Sequence, residues 1–366
     1  MEKPGLLRRI IGDERRQAYI IPLLAILCSL IASAILLLAI GKQPGAAFAA
    51  ILEGAGVLPK HNYAAGKGMI TDVMLTLTAL TPMIFAALAV TVAFKAGLFN
   101  IGVAGQMLFA GFIATVSVGY SEMPPAAAMP LVIVIGAAGG AAIGGLIGLL
   151  KTKFNINEVV SSIMLNYIIQ YVTGFFILTR FVDALTRHSK AIEQSSRLLI
   201  QDIQIGEYRV DIPVFVLLAV AVTFLAQLYL NRTCAGFNLQ AVGASPSAAQ
   251  YFGVSPSRGR VAAMTLSGAL AGVAGVMHYL GYYERIPPKM LADTGFEAIA
   301  VSLLGNANPV GGLFASILFT VISRGSMYMS SVMGVEREIS QVITGLILLF
   351  SACGAFLKYM INKEGR

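Results

Sequence analysis

Long apolar runs separated by short polar breaks dominate this chain. They fall at about Tyr19 to Ile40, Met69 to Phe94, Phe99 to Tyr120, Pro130 to Leu150, Glu158 to Phe181, Ile212 to Leu230, Val261 to Leu280, Gly295 to Leu304, Gly311 to Ile322 and Ile339 to Tyr359. A bilayer core about 30 Å thick asks for about 20 mostly apolar residues per spanning helix. The runs therefore predict an all-α, polytopic integral membrane protein of about ten transmembrane elements, some of them broken. Gly295 to Leu304 and Gly311 to Ile322 look too short to span alone. The stretch from Gly41 to Gly68, with Lys42, Glu53, Lys60 and Lys67, is apolar enough in its middle to lie along the membrane surface.

Composition agrees with a membrane solvent. The 366 residues are 57% hydrophobic and 12% charged, with a mean hydropathy of +0.78, whereas soluble domains carry roughly a quarter charged residues. The net charge of +8 comes from basic residues beside apolar runs, so it points to anionic lipid headgroups rather than to nucleic acid. Lys3, Arg8, Arg9, Arg15 and Arg16 precede the first run, which exceeds the roughly 7 to 15 apolar residues of a cleaved signal and reads as an uncleaved anchor. Loop cations divide almost evenly between the two sides. The N-terminal cluster and Lys358, Lys363 and Arg366 nonetheless favour both termini in the cytoplasm. Residues 1–366 then form one transmembrane domain, with a cytoplasmic segment 1–18, an extracytoplasmic loop 182–211 and a cytoplasmic loop 231–260. Cys28, Cys234 and Cys353 and the three histidines are scattered, so neither a disulfide framework nor a metal site is expected.

Two breaks interrupt the apolar sequence. In GLFNIGVAGQM, Gly97 to Met107, Asn100, Gln106 and three glycines follow Lys95. Irregular backbone at membrane depth is tolerated where protein buries it or water reaches it, so the break fits a lined cavity; it also fits an ordinary cytoplasmic turn. In the second, Thr294 to Gly312, Glu297 enters an apolar run before an Asn308-Pro309 turn. An ionisable residue inside a span is costly and marks a functional candidate, with an interfacial carboxylate as the alternative. FNINEVVSSIMLNYI (Phe154 to Ile168) faintly echoes VEREISQVITGLILL (Val335 to Leu349), matching Glu158 to Glu338, as in transporters built from two repeats; chance produces similarities this weak. Gly136, Gly140, Gly144 and Gly148 recur every fourth residue and predict a groove for a close helix neighbour.

The segment Val242 to Arg260 is the most specific. Ser245 can cap a helix with Pro246 at its first position, Ser247 to Phe252 can continue it and Gly253 can end it; Ser255-Pro256 repeats the signal. Ala248 and Ala249 are small and Tyr251 is an exposed aromatic, a knob suited to a partner's groove. No phosphate loop of the form G-x-x-x-x-G-K-[ST] exists, since Gly41-Lys42 and Gly66-Lys67 lack the following hydroxyl. No catalytic set can be assembled either, so the chain reads as a non-enzyme.

GLFNIGVAGQM, NEVVSSIMLNYI, VGASPSAAQYFGV and GFEAIAVSLLG, in this order, resemble the permease subunits of bacterial ABC importers of the branched-chain amino acid, ribose and nucleoside superfamily. They look most like the nucleoside-uptake (guanosine- or uridine-type) branch. The resemblance covers Tyr19 to Tyr359. It implies a bacterial cytoplasmic membrane, a second permease subunit, an extracytoplasmic substrate-binding lipoprotein, and a cytoplasmic ATPase that holds ATP and magnesium, with no cofactor in this chain. The ATPase-coupling helix then maps onto Ser245, Pro246, Ala248, Ala249, Tyr251, Phe252 and Gly253, and the substrate pathway is expected near Asn100, Gln106, Glu158, Asn166 and Glu297. Many relatives carry Glu at Ala104 and Asn at Ser245. A sugar or amino acid cargo, or an ion-gradient-driven carrier using Glu158 or Glu297, are the competing readings.

Overall fold

The computed structural model describes residues 14–352 apart from residue 65. Lys3, Arg8, Arg9, Cys353, Lys358, Lys363 and Arg366, and the end of the run to Tyr359, lie outside the described residues. Two compact units divide the chain. One holds the described parts of Met1–Asn62 and Val321–Arg366, the other Tyr63–Thr320.

In the first unit, helix α1 (Glu14–Ala39) is followed by Gly41 at φ 78° and by α2 (Pro44–Gly54), which opens on a proline. A positive φ and a proline-led start turn the chain by 117°. The second half of α12 (Pro309–Met333) closes on α2. A Cβ added at Gly325 would collide with the Ile51 carbonyl, and one at Gly54 with Tyr328. Lys42 Nζ donates to the Met333 carbonyl at 2.6 Å, and α13 (Arg337–Ala352) rests against α1.

In the second unit, α3 (Met69–Lys95) leads through a turn to α4 (Val103–Ala114). Then come α5 (Pro125–Phe154), α6 (Glu158–Phe176), an antiparallel hairpin β1 (Ile200–Ile205) and β2 (Tyr208–Ile212), and α7 (Phe215–Arg232). Short helices α8 (Cys234–Ala244) and α9 (Pro246–Tyr251) precede α10 (Pro256–Val276), α11 (Asp293–Leu304) and the first half of α12. The segments whose sequences echo one another open α6 and α13, in separate units.

Helix α10 is the centre of this unit and touches α3, α4 and α5. The expected glycine groove receives it: a Cβ at Gly140 would strike the Gly268 carbonyl, and one at Gly272 the Gly136 carbonyl. Backbones that approach this closely gain dispersion contacts and need no side-chain ordering, which is how small residues drive association in lipid.

Among the described residues, six helices are long and apolar enough to cross a membrane: α3, α5, α6 with its continuation to Phe181, α7, α10 with its continuation to Tyr282, and α12. A bent pair, α1 with α2, brings the total to at most seven. Among the described residues the expected count of about ten is thus not confirmed. Val103–Gly119 is a shorter apolar helix, and α11 has only 12 residues. The run at Gly311 to Ile322, expected to be too short, is instead part of the 25-residue α12. Its helix continues through Ser323, Arg324 and Gly325, which end the apolar run but not the hydrogen-bond ladder.

Helix α3 separates two ends of the unit. Its 27 residues span about 40 Å at 1.5 Å per residue. At its start, Arg209 N–H donates to the Gly66 carbonyl at 3.1 Å, which seats the hairpin. At its finish lie α8 and α9. At the hairpin end α4, α6 and α10 all run out in π-helical turns, Thr115–Gly119, Ile177–Phe181 and Met277–Tyr282. Residues 182–198 lace these ends together. Ser189 N–H donates to the Ile286 carbonyl (3.1 Å), Glu193 N–H to Gly119 (2.9 Å) and Leu198 N–H to Leu280 (3.3 Å), while Arg197 pairs with Glu284 at 2.6 Å.

Candidate functional site

The turn between α3 and α4 would leave the first N–H groups of α4 without partners. Two side chains, one from the turn and one from α6, accept from N–H groups here, and a third from α10 braces the first. The Asn100 Oδ1 accepts from Gly102 N–H at 3.0 Å, an Asx turn that shapes the break locally. Asn100 Nδ2 donates to Gln106 Oε1 at 3.0 Å and to Ser267 Oγ of α10 at 2.8 Å. Ser267 Oγ in turn donates to the Ala89 carbonyl of α3 at 2.6 Å. From α6, Asn166 Oδ1 accepts from Gly105 N–H at 3.0 Å, and its Nδ2 donates to the Ile101 carbonyl at 3.0 Å. Asn100, Gln106 and Ser267 are fully buried and Asn166 nearly so.

Three predicted pathway residues, Asn100, Gln106 and Asn166, therefore meet in one polar knot. Asn100 and Gln106 satisfy each other, Asn166 joins them through the broken backbone, and a buried network of this kind fixes one geometry. Ser267, which joins the knot to α10 and α3, has no counterpart among the sequence candidates. A hydroxyl inside the glycine-rich stretch of α10 was its only mark.

The two predicted carboxylates lie apart from the knot. Glu158 opens α6 beside the cap made by Asn157 Oδ1 on Val159 N–H (2.9 Å), and it pairs with Lys151 of α5 at 2.8 Å. That ion pair ties off the α5–α6 connection. Glu297 sits half-buried on α11. This helix reaches the knot by backbone: a Cβ at Gly295 would stand 2.6 Å from the Ala104 nitrogen. Further along, Ser302 Oγ and Thr91 Oγ1 of α3 share a 2.8 Å hydrogen bond.

At the other feature, local chemistry builds α9 as expected. Ser245 Oγ accepts from Ala248 N–H at 3.3 Å, with Pro246 at the first position. Gly253 takes φ 80°, and Ser255 accepts from Arg258 N–H at 3.5 Å. Ala249 is buried, whereas Tyr251 is 93% and Phe252 87% exposed. A groove of about 480 Å³ lies beside them, lined among others by Gln250, Ser257 and Arg260. The helix α8 was missed, although Thr233 Oγ1 caps it by accepting from Gly236 N–H at 3.0 Å.

Helix α8 connects the two features. A Cβ at Gly97, which has φ 68°, would stand 2.9 Å from the Gly243 carbonyl, and a Cβ at Gly243 would collide with the Lys95 carbonyl. The element leading into α9 thus lies directly on the turn that enters the polar knot.

Among the described residues, six helices long and apolar enough to cross a membrane, with broken elements beside a buried polar knot, fit a multi-pass membrane protein. The sequence profile described as the permease component of branched-chain amino acid transport systems matches residues 73–352, and the chain belongs to this ABC transporter permease family. Individual relatives agree. The nucleoside ABC transporter permease protein NupB of Lactococcus lactis subsp. cremoris is 31% identical over 96% of this chain and 95% of its own length. The guanosine ABC transporter permease protein NupP of Bacillus subtilis is 34% identical over 96% and 97%, and the glucose ABC transporter permease protein TsgB13 of Haloferax volcanii 28% over 93% and 89%. NupC and NupQ, from the same two bacterial strains as NupB and NupP, also match.

Proposed function

We propose that this permease translocates nucleosides across the cytoplasmic membrane, with energy from ATP hydrolysed on a separate subunit. Similarity to NupB and NupP along nearly the whole chain supports the cargo. The observation that carries the energy source is the contact of α8 with the α3–α4 turn at Gly97 and Gly243. It gives α9 a rigid path to the break. In this reading the α9 end is cytoplasmic, as are both termini, and the loop 182–211 is extracytoplasmic.

The ATPase, carrying ATP and magnesium, docks on Tyr251 and Phe252 and fits the groove beside them. The chain itself needs no cofactor. A second permease subunit completes the transporter, as the NupB and NupC matches favour, and a lipoprotein delivers cargo to the hairpin end. Nucleotide-driven closure of the ATPase pushes α9, α8 transmits the push, and the α4 break moves with its knot. The two states differ in the contacts that ATP or cargo makes with each. Asn100, Gln106 and Asn166 serve this pathway by holding the break, and Glu297 is its polar wall.

The similarity to TsgB13 favours a sugar as the second reading. The test is ATP-driven uptake of labelled guanosine into vesicles bearing the complete transporter, competed by unlabelled nucleosides, ribose, glucose or leucine. Nucleosides alone compete if the first reading is right; competition by glucose and not by nucleosides replaces it with the second.

A further inference from the structure

The outward faces of α6 and α7 differ in chemistry. On α7 the exposed residues are Leu217, Leu218, Phe224, Leu225 and Leu228, a surface that lipid tails accept. On α6 the exposed face also holds Val160, Ile168, Val172 and Phe176, but along it Met164, Tyr167, Tyr171 and Phe175 recur every three or four residues, and two phenol hydroxyls set it apart from α7. Its opposite face is fastened to the bundle. Asn166 caps α4, Gln170 Nε2 donates to the Lys289 carbonyl at 2.7 Å, and a Cβ at Gly174 would stand 3.0 Å from the Lys289 nitrogen.

Depth makes the tyrosines informative. Counted from Glu158, the start of the span, Tyr167 and Tyr171 lie about 14 and 20 Å in at 1.5 Å per residue. That is near the middle of a hydrocarbon layer about 30 Å thick. Tyrosines that anchor a span sit at headgroup level instead. Among the described residues no hydrogen bond reaches either phenol, and a hydroxyl facing hydrocarbon without a partner is disfavoured.

We propose that the face of α6 bearing Met164, Tyr167, Tyr171 and Phe175 lines the water-filled translocation path, and that Tyr167 and Tyr171 hold the base ring of a passing nucleoside by stacking. The inference rests on the nucleoside reading above. Every nucleobase has a π-face, so aromatic side chains take bases without choosing among them, which suits a path behind a selective receptor. The phenol hydroxyls turn to water, to the ribose or to the polar edge of the base, and their lack of a protein partner is then accounted for. A lipid-facing stripe would resemble that of α7.

The test uses the complete transporter in membrane vesicles, with Cys28, Cys234 and Cys353 replaced by Ser. Tyr171→Cys, Tyr167→Cys and Leu225→Cys are introduced one at a time and treated with a charged, membrane-impermeant methanethiosulfonate. Only the ionised thiol reacts, and hydrocarbon suppresses ionisation, so cysteines on the α6 stripe should be modified at least about tenfold faster than that at 225. Guanosine should slow the modification. Protection by glucose or ribose but not by guanosine would keep the path on this face and reject the nucleoside cargo. Modification that no cargo slows would reject stacking there. If neither α6 cysteine reacts faster than Leu225→Cys, the face lies under lipid or under the second permease, and the proposal is overturned while the cargo reading stands.

Discussion

The Gly243 backbone lies so close to the α3–α4 turn that a Cβ on Gly97 would stand 2.9 Å from its carbonyl oxygen. Helix α8 meets the turn there through a glycine, and any added atom must push the turn or itself aside. Gly97 also holds φ 68°, a conformation that favours glycine.

Gly243→Val keeps the helical backbone and adds only bulk. Overpacking of this kind costs about 1–3 kcal/mol. The variant is expected to insert and to bind the ATPase, yet to transport nucleoside far more slowly per ATP hydrolysed. Measuring both rates in proteoliposomes checks this, and an unchanged ratio would remove α8 from the coupling path.

Asn100 and Asn166 hold the break from two sides. Asn100→Ala leaves the Gly102 N–H and the Gln106 amide unsatisfied, each costing about 1–3 kcal/mol. The detergent-solubilised variant should therefore unfold at lower temperature. Adding Asn166→Ala should cost less than the sum of the single changes, because the two residues share one network. Strictly additive losses would mean that the knot is two independent contacts.

Tyr251→Asp places a charge on the tip of α9, where the ring is 93% exposed. Little stability changes, since almost none of the ring is covered by the described residues. Membrane insertion should remain and nucleoside uptake should be lost; normal uptake would place the ATPase contact elsewhere.

Asp183 is held below its ordinary carboxylate pKa, chiefly by its hydrogen bond with Arg285 and also by the Leu185 N–H. A depressed value in the folded state stabilises the loop above the unfolded pKa and is lost as pH falls through the folded one. A fluorophore on Leu185→Cys in a cysteine-free background should report constant anisotropy from about pH 8 to 5, with loosening only in stronger acid. Asp183→Asn should loosen the loop at neutral pH. Loosening already at mild acidity would contradict this ion pair.

Features written in local chemistry were legible in the sequence. Ser245-Pro246 and Ser255-Pro256 spell helix starts whatever surrounds them, so α9 appeared with its caps. The glycines from Gly136 to Gly148 showed a groove by spacing alone. Features set by tertiary contact were not legible. Gly268 and Gly272 as the groove's occupants, Ser267 as the knot's third arm and Gly243 against Gly97 depend on elements far apart in sequence. Span counting from sequence did not match the helices of the described residues, because apolar runs and helices end for different reasons. α12 continues past Arg324, where hydrophobicity stops, while α4 and α11 are apolar but short. The amides at Asn100, Gln106 and Asn166 were expected along the substrate path, and their polarity alone did not reveal that Asn100 and Gln106 bond each other while Asn166 bonds the broken backbone.

The central claim is that ATP on a partner subunit drives nucleoside movement through this permease. Its most direct test is guanosine uptake by proteoliposomes holding this chain, its second permease, the ATPase and the receptor, with proton and sodium gradients collapsed by ionophores. Uptake that persists with ATP and stops when ATP is replaced by a non-hydrolysable analogue is the predicted result. Uptake that stops when the gradients collapse while ATP is present would contradict it.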